Sequence, residues 1–455
     1  MTYPIINKPS ISSGSEAAKM CQPTFKDTII QLLSNLANPK EIEQYMNRFV
    51  NAGKTHFAVI KVGGSILQND LENLCSSLAF LHQIGLFPIV VHGAGPQLNQ
   101  QLKQQSIECD FIDGQRVTTP DVLTIARKTF IQQNLKLANR LQAMGVKTAS
   151  ISSGIFFAEP SAVSELGLVG DVTSIDLDPI EAAIKDGAVP ILSSLAETKF
   201  GQCLNINADV ATNQLAIALK PYKIVFLTET GGILNEDEKI ISSVNLVTDY
   251  GDLISQPWLH GGMKLKVKQI AEILSQLPST ASVSITTPSH LAKELFTHKG
   301  SGTLIRRGES IMVHDSVETI KTKKIKELLE SSFQKELNAD YFETTKIHKA
   351  YITYCYRAAA IITLEHGVPF LDKFVVAEAA KGEGLGKTLW QHLIQDMPEL
   401  FWRAKPENPI NSFYYKKSDG FLKADNWHVF WCGLKSFSQI ENCVDFATNK
   451  AATLN

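Results

Sequence analysis

Between residues 56 and 305, short apolar runs alternate with longer stretches whose apolar positions repeat at helical spacing. Of the runs at 57–62, 88–91, 148–151, 189–192, 224–227 and 282–286, most are rich in Val, Ile and Leu, while 148–151 and 282–286 mix them with Ser and Thr. Such runs suit strands buried on both faces, because no position needs to meet water. Segments 70–83 and 263–277 carry the i, i+3, i+4 repeat of helices that cover a sheet. The pattern predicts an α/β domain with a mainly parallel sheet and helices on both faces. Segment 39–50 places Ile42, Tyr45, Met46, Phe49 and Val50 on one helical face, which packs on its own domain or on another copy.

The patterning changes after residue 306. Two further runs, 303–306 and 310–314, read as strands that close the first sheet, and the charged stretch 318–330 follows. Beyond it, aromatic and alternating runs at 349–355, 358–364, 373–377 and 428–433 read as strands, with helices at 385–395 and 439–446. This predicts a smaller α+β domain. The expected division is a tail over 1–25, a first domain over 26–310 and a second over 311–455.

A chain of 455 residues is consistent with more than one core. A net charge of -2 argues against a dedicated nucleic-acid binder, yet a few local cations suffice for small anions. The seven cysteines contain no CxxC pair, so no disulfide framework, zinc site or other metal site is expected. No apolar run approaches the roughly 18 residues of a membrane span, so no membrane partner is expected. Residues 1–25 hold no arginine and no secretory pattern, which makes the expected location cytoplasmic, with the mitochondrial matrix as the alternative.

Four separated segments of the first half share one chemistry. Lys61-Val62-Gly63-Gly64 ends the first strand with a cation and two glycines, and Ala94-Gly95 follows the second strand. Asn205 and Asp209 supply an amide and a carboxylate, and Gly261-Gly262 precedes Lys266. Phosphoryl transfer spreads negative charge over the moving group, which lysines and backbone N–H donors stabilise. Each piece alone is an ordinary turn.

Taken in order, with Gly114-Gln115-Arg116 and Gly300-Ser301-Gly302-Thr303, they resemble the amino-acid kinase family and its N-acetylglutamate kinases. The resemblance implies ATP, with Mg2+, as phosphoryl donor. It implies that Lys61 and Lys266 stabilise the phosphoryl group, that Asp209 holds them, and that Gly63 and Gly64 contact nucleotide. Arg116 and Asn205 then bind the α-carboxylate end of N-acetyl-L-glutamate, and Ala94 and Gly95 meet its reacting end. Glu229 stands where the family often has Asp, and Ala94 where many members have Gly. The same family implies an L-arginine site at Glu294, Gly300 and Gly302, with Trp258 nearby, and a homo-oligomer, dimer or tetramer. On its residue type alone, Glu294 reads equally as a solvated helix position.

In the second half, Lys381-Gly382-Glu383-Gly384-Leu385-Gly386-Lys387 joins a strand to a helix. Spaced glycines at a helix start make a workable pyrophosphate cradle. The spacing resembles the coenzyme-A loop of the GNAT acetyltransferase family, which implies acetyl-CoA on Lys381, Gly382, Gly384, Gly386 and Lys387, with its pantetheine arm along the strand at Val376. With Leu371-Asp372-Lys373-Phe374 and Asn408 to Tyr415, the segment resembles vertebrate-like N-acetylglutamate synthases and the bifunctional synthase/kinases. That implies Lys373 and Asn408 as L-glutamate contacts, with Lys405 replacing an arginine, and Tyr414 as the acid for the leaving thiolate. A bland reading makes Tyr414 and Tyr415 sheet aromatics.

The resemblances together imply two consecutive reactions of arginine synthesis. The alternatives are a synthase whose kinase-like half only senses arginine, and a regulatory or scaffolding subunit.

Overall fold

A computed structural model describes residues 57–112, 114–296, 301–381 and 384–454. The helix expected at 39–50, the tail over 1–25, Gly300 and Gly382 lie outside them.

Among the described residues the first half is built on an eight-stranded sheet. Ala58–Val62 sits near its centre, parallel to Lys223–Leu227 on one side and Ile89–His92 on the other. Val189–Ser193 and Thr148–Ile151 continue it in parallel, as does Ser282–Thr286 at the opposite end. The break in direction comes where Ser282–Thr286 meets Thr303–Arg306 antiparallel, and Ser243–Asn245 then pairs parallel to Thr303–Arg306.

Both faces are covered, as near-continuous apolar strands require. Ala58, Ile60 and Val62 pack in one cluster with the Leu71–Gln83 helix, whereas Val59 packs in another with the Ala208–Leu219 helix. The two-residue period of the strand therefore sends Lys61 to the side of the Ala208–Leu219 helix. A small sheet of Cys203–Asn205, Leu195–Glu197, Phe156–Pro160 and Gly170–Ile175 stands beside this layer.

The second half has a seven-stranded sheet, antiparallel except for one pairing. Val368–Val376 runs parallel to Leu400–Ala404, registered only over Phe370–Phe401 and Leu371–Trp402 among the described residues. Past Leu371 these strands part. From Phe374 to Val376 the strand Val368–Val376 lines a cavity, while its other edge stays paired with Ala358–Glu365. A register shift between Ile361 and Ile362 bends the sheet at this level.

The expected α/β and α+β halves are both observed, with two local corrections. Ile311–His314 does not close the first sheet. It pairs antiparallel with Ile347–Thr353, and Ile311 packs into the second core. Tyr414 and Tyr415 lie on the helix Asn411–Lys417, not on a strand.

Candidate active sites

The first site forms where three elements aim charge at one point. Asn207 caps the Ala208–Leu219 helix, its Oδ1 accepting from the Asp209 N–H at 2.7 Å, so Asp209 stands in the first turn. Lys61 reaches the Asp209 carboxylate at 2.7 Å from the first strand. Lys266, from the Gly261–Gln276 helix, reaches its other oxygen at 2.6 Å. Burial alone pushes the Asp209 carboxyl up, but the two ammonium groups overcome that and hold it at about 2. For Lys266, burial pushes the ammonium below its ordinary range, and Asp209 pulls it partly back.

Next to this group lies a cavity of about 300 Å³. Lys61, Gly63, Gly64, Ala94, Gly95, Arg116 and Asn205 all line it, so the structure gathers these sequence-selected residues. The two glycine turns interlock. A Cβ on Gly64 would fall 2.7 Å from Gln97 Oε1 and 3.0 Å from the Gly95 nitrogen, so only glycine allows the approach. Gln97 clamps the turns by donating to the Gly64 carbonyl at 2.7 Å. Arg116 donates to Asn99 and to Cys109 Sγ, and its guanidinium lies 4.7 Å from the Phe111 ring centre. Asn205 donates to Thr118 Oγ1 at 3.1 Å. Gln97, Thr118 and Asn207 had no role assigned from sequence, because polar residues acquire these partners only through folding.

Glu229 accepts from Asn69 Nδ2 at 3.0 Å at the neighbouring turn. His92 is fully buried, and that burial pushes its imidazole down to about 4, leaving it neutral and structural. Among the described residues, no three of His, Cys, Asp or Glu gather as a metal cluster, and both oxygens of Asp209 are engaged by lysines.

Of the expected regulatory residues, Glu294 and Gly302 meet, whereas Trp258 lies apart from them. Glu294 is buried, correcting the solvated reading, and its Oε2 accepts from the Ser301 and Gly302 N–H groups at 3.0 and 3.2 Å. A Cβ on Gly302 would lie 2.0 Å from the Ile285 carbonyl oxygen. Trp258 packs with the cluster of Ile224, Phe226 and Ile285, whereas the helix of Glu294 packs with Val225 and Leu227 on the other face of the sheet. Closeness in sequence misled here because the intervening strand crosses the sheet.

In the second half, Val376, Lys381, Gly384, Gly386, Lys387, Asn408 and Tyr414 line one cavity of about 910 Å³. Gly384 takes φ 83°, the left-handed conformation, and caps the Leu385–Asp396 helix. The ring of Tyr414 sits among Trp390, Trp402 and Phe430, with centroids 5.5 to 5.8 Å away. Burial pushes its phenol well above the ordinary range, so it stays protonated.

Lys373 and Lys405 are not brought to that cavity. Lys373 is buried and donates to Asp372 Oδ2 and Thr453 Oγ1, both at 2.6 Å. Asp372 also accepts from the Tyr341 hydroxyl at 2.7 Å. Lys405 is exposed, with Nζ 4.1 Å above the Trp427 ring, and Arg403 stacks on the same indole.

Comparison with known proteins agrees with this division. The model of the amino acid kinase family matches residues 56–285, and that of the N-acetyltransferase of N-acetylglutamate synthase matches 312–450. The chain belongs to the amino acid kinase family. Within it, the chain is 48% identical over 419 residues to an acetylglutamate kinase of Xylella fastidiosa, covering 92% of this chain and all of the relative. It is 32% identical to the mitochondrial N-acetylglutamate synthase of Homo sapiens, covering 90% of this chain and 76% of that one. The fold also matches an N-acetylglutamate synthase of Neisseria gonorrhoeae solved with coenzyme A and N-acetylglutamate. That match has a TM-score of 0.61 at 17% identity and covers 87% of this chain and 98% of the other. Among the described residues no helix is long and apolar enough to cross a membrane.

Proposed function

We propose that this chain makes N-acetyl-L-glutamate and then phosphorylates it, using a kinase domain over 26–310 and an acetyltransferase domain over 311–455, after a tail over 1–25. The observation that carries this reading is that the Lys61–Asp209–Lys266 group and the Tyr414 cavity occur complete in one polypeptide.

In the kinase reaction an oxygen of the side-chain carboxylate attacks the γ-phosphorus of ATP. The bond to the bridging oxygen breaks, and ADP leaves. The nucleophile is already an anion at neutral pH, so no general base is needed. The remaining task is charge stabilisation, which Lys61 and Lys266 supply, with Asp209 fixing both. Gly63 and Gly64 offer backbone to nucleotide, Ala94 and Gly95 face the reacting carboxylate, and Arg116 and Asn205 hold the α-carboxylate. Mg2+ arrives with ATP, on its phosphates.

In the acetyltransferase reaction the neutral α-amine of L-glutamate attacks the thioester carbon of acetyl-CoA. The C–S bond breaks, the thiolate takes the Tyr414 proton, and the amine proton passes to solvent. Lys381, Gly382, Gly384, Gly386 and Lys387 hold the pyrophosphate, and the splayed edge near Val376 holds the pantetheine arm. Asn408 orients glutamate, with Lys373 and Lys405 as further contacts.

L-Arginine acts as a feedback ligand through Glu294, Gly300 and Gly302. The chain works as a homo-oligomer, dimer or tetramer, in the cytoplasm or the mitochondrial matrix. A synthase with a merely sensing kinase-like half would not require both lysines on Asp209. The decisive experiment assays both reactions on one preparation: no ADP formed with N-acetyl-L-glutamate, or no coenzyme A released with L-glutamate, refutes the bifunctional reading.

A further inference from the structure

The cavity at the coenzyme-A loop is not enclosed by the acetyltransferase half alone. Gly386, Lys387 and Tyr414 form one side, while Ser243, Asn245 and Arg306 from the edge of the kinase sheet form another. Asn245 is the centre of this second wall. Its Oδ1 caps the Leu246–Ser255 helix by accepting from the Val247 N–H at 3.0 Å. Its Nδ2 donates across the cavity wall to Thr388 Oγ1 at 3.1 Å.

Thr388 lies in the first turn of the Leu385–Asp396 helix, and its hydroxyl donates to the Gly384 carbonyl at 3.3 Å. A hydroxyl has one proton, so while Gly384 receives it the oxygen accepts from Asn245. The two bonds run in series from the kinase edge to the left-handed glycine that opens the helix. The chain joining the halves is pressed to the same residue. Gly308 takes φ 75°, and a Cβ there would fall 1.9 Å from Asn245 Oδ1. Just beyond, buried Glu309 is paired with Arg357 at 2.6 Å, beside the strand that pairs with Val368–Val376. Orientation of the wall is thereby held at two points. Arg306 and Lys387 place cations on its two sides, suited to a ligand that carries phosphates.

We infer that acetyl-CoA occupies a composite site in which the kinase half supplies one wall and Asn245 positions the cradle helix through Thr388. This rests on the coenzyme-A reading of the Lys381–Lys387 loop. The first-turn N–H groups of that helix face the phosphates, and their aim depends on the turn that Gly384 and Thr388 define. Asn245 touches no reacting atom and acts on affinity.

The test uses the full chain, with coenzyme A titrated calorimetrically and acetyl transfer followed at varied acetyl-CoA and glutamate. Asn245→Ala raises the Kd for coenzyme A and the KM for acetyl-CoA by about three- to tenfold, the range of one net hydrogen bond, and by more than it changes kcat or the KM for glutamate. Asn245→Asp keeps an acceptor for the Val247 N–H but loses the Nδ2 donor, so a similar loss separates the bridge from the helix cap. Thr388→Val matches Asn245→Ala, and the double variant is no worse than either alone. Arg306→Gln weakens coenzyme A binding and flattens its dependence on salt. Unchanged coenzyme A affinity in Asn245→Ala and Arg306→Gln overturns the inference while leaving the acetyltransferase reading intact. A fall in kcat at constant acetyl-CoA KM overturns it too, because that pattern marks general damage. If the unaltered chain binds no coenzyme A, the underlying reading fails with it.

Discussion

The Lys61 ammonium lies 2.7 Å from the Asp209 carboxylate, a strand end meeting the first turn of a helix that starts far along the chain. Lys266 completes the group from a third element. The shared carboxylate holds the two ammonium groups close to each other.

Removing either lysine should therefore stop one reaction only. Lys61→Ala and Lys266→Ala are expected to lower the kcat for ADP formation by roughly 100- to 1,000-fold, the usual loss for one charge-stabilising donor. Coenzyme A release from acetyl-CoA and glutamate continues, and a coupled ADP assay beside a thiol assay reads both.

Asp209 also sets an acid limit on the kinase half. Its folded pKa of about 2 lies below the ordinary 3.8, so its contribution to stability is complete above 3.8 and is lost as pH falls through 2. Denaturation midpoints measured from pH 5 downward should fall for the unaltered chain in that window. Asp209→Asn should start lower, with two buried ammonium groups uncompensated, and lose this part of the pH slope.

Tyr414→Phe preserves the ring that packs between Trp390, Trp402 and Phe430, so thermal stability should hardly change. The loss of the proton donor is expected to lower acetyl transfer about 100-fold. Because burial raises the phenol pKa, its proton is retained through mildly alkaline pH. The pH–rate profile of the unaltered chain should then rise with amine deprotonation and show no alkaline fall from Tyr414.

Lys373→Met discriminates packing from substrate binding. The Lys373–Asp372 pair is buried on both sides, so removing the cation leaves Asp372 only the Tyr341 hydroxyl and Lys450 at 3.7 Å and should cost about 3 kcal/mol in urea unfolding of the acetyltransferase half. A raised KM for glutamate at unchanged stability would instead return Lys373 to the substrate.

Glu294→Gln tests the regulatory reading. Saturating L-arginine should raise the Tm of the unaltered chain and alter its rates, and the variant should lose both responses. Gly302→Ala is expected to lower the Tm by several degrees without arginine, since its Cβ cannot coexist with the Ile285 carbonyl.

Apolar runs in the sequence marked seven of the eight strands of the kinase sheet, because such runs suit burial between two helical layers, but not the short polar-flanked strand Ser243–Asn245. Sequence pattern was sufficient for the helix after Gly384, where glycine spacing and apolar repeat coincide. Local pattern failed where partners are distant. The 310–314 run has the character of a strand, but only the register with Ile347–Thr353 assigns it to the second sheet. Aromatic residues at 413–415 suit a strand or a helix alone, and packing of Tyr414 against Trp390 and Trp402 accompanies the helix.

By itself the sequence determined which residue types were present for two chemistries and in what order they occur along the chain. Only the tertiary structure decided which of them share a cavity. It put Lys61, Asp209 and Lys266 within ion-pair distance, committed Lys373 to Asp372, separated Trp258 from Glu294 by a sheet, and set Asn245 of the kinase half against Thr388. The physical reason is range. Alternation and helical repeat are local, imposed by backbone geometry over a few residues, whereas charge pairing and hydrogen bonding depend on ångström distances that only the packed layers create.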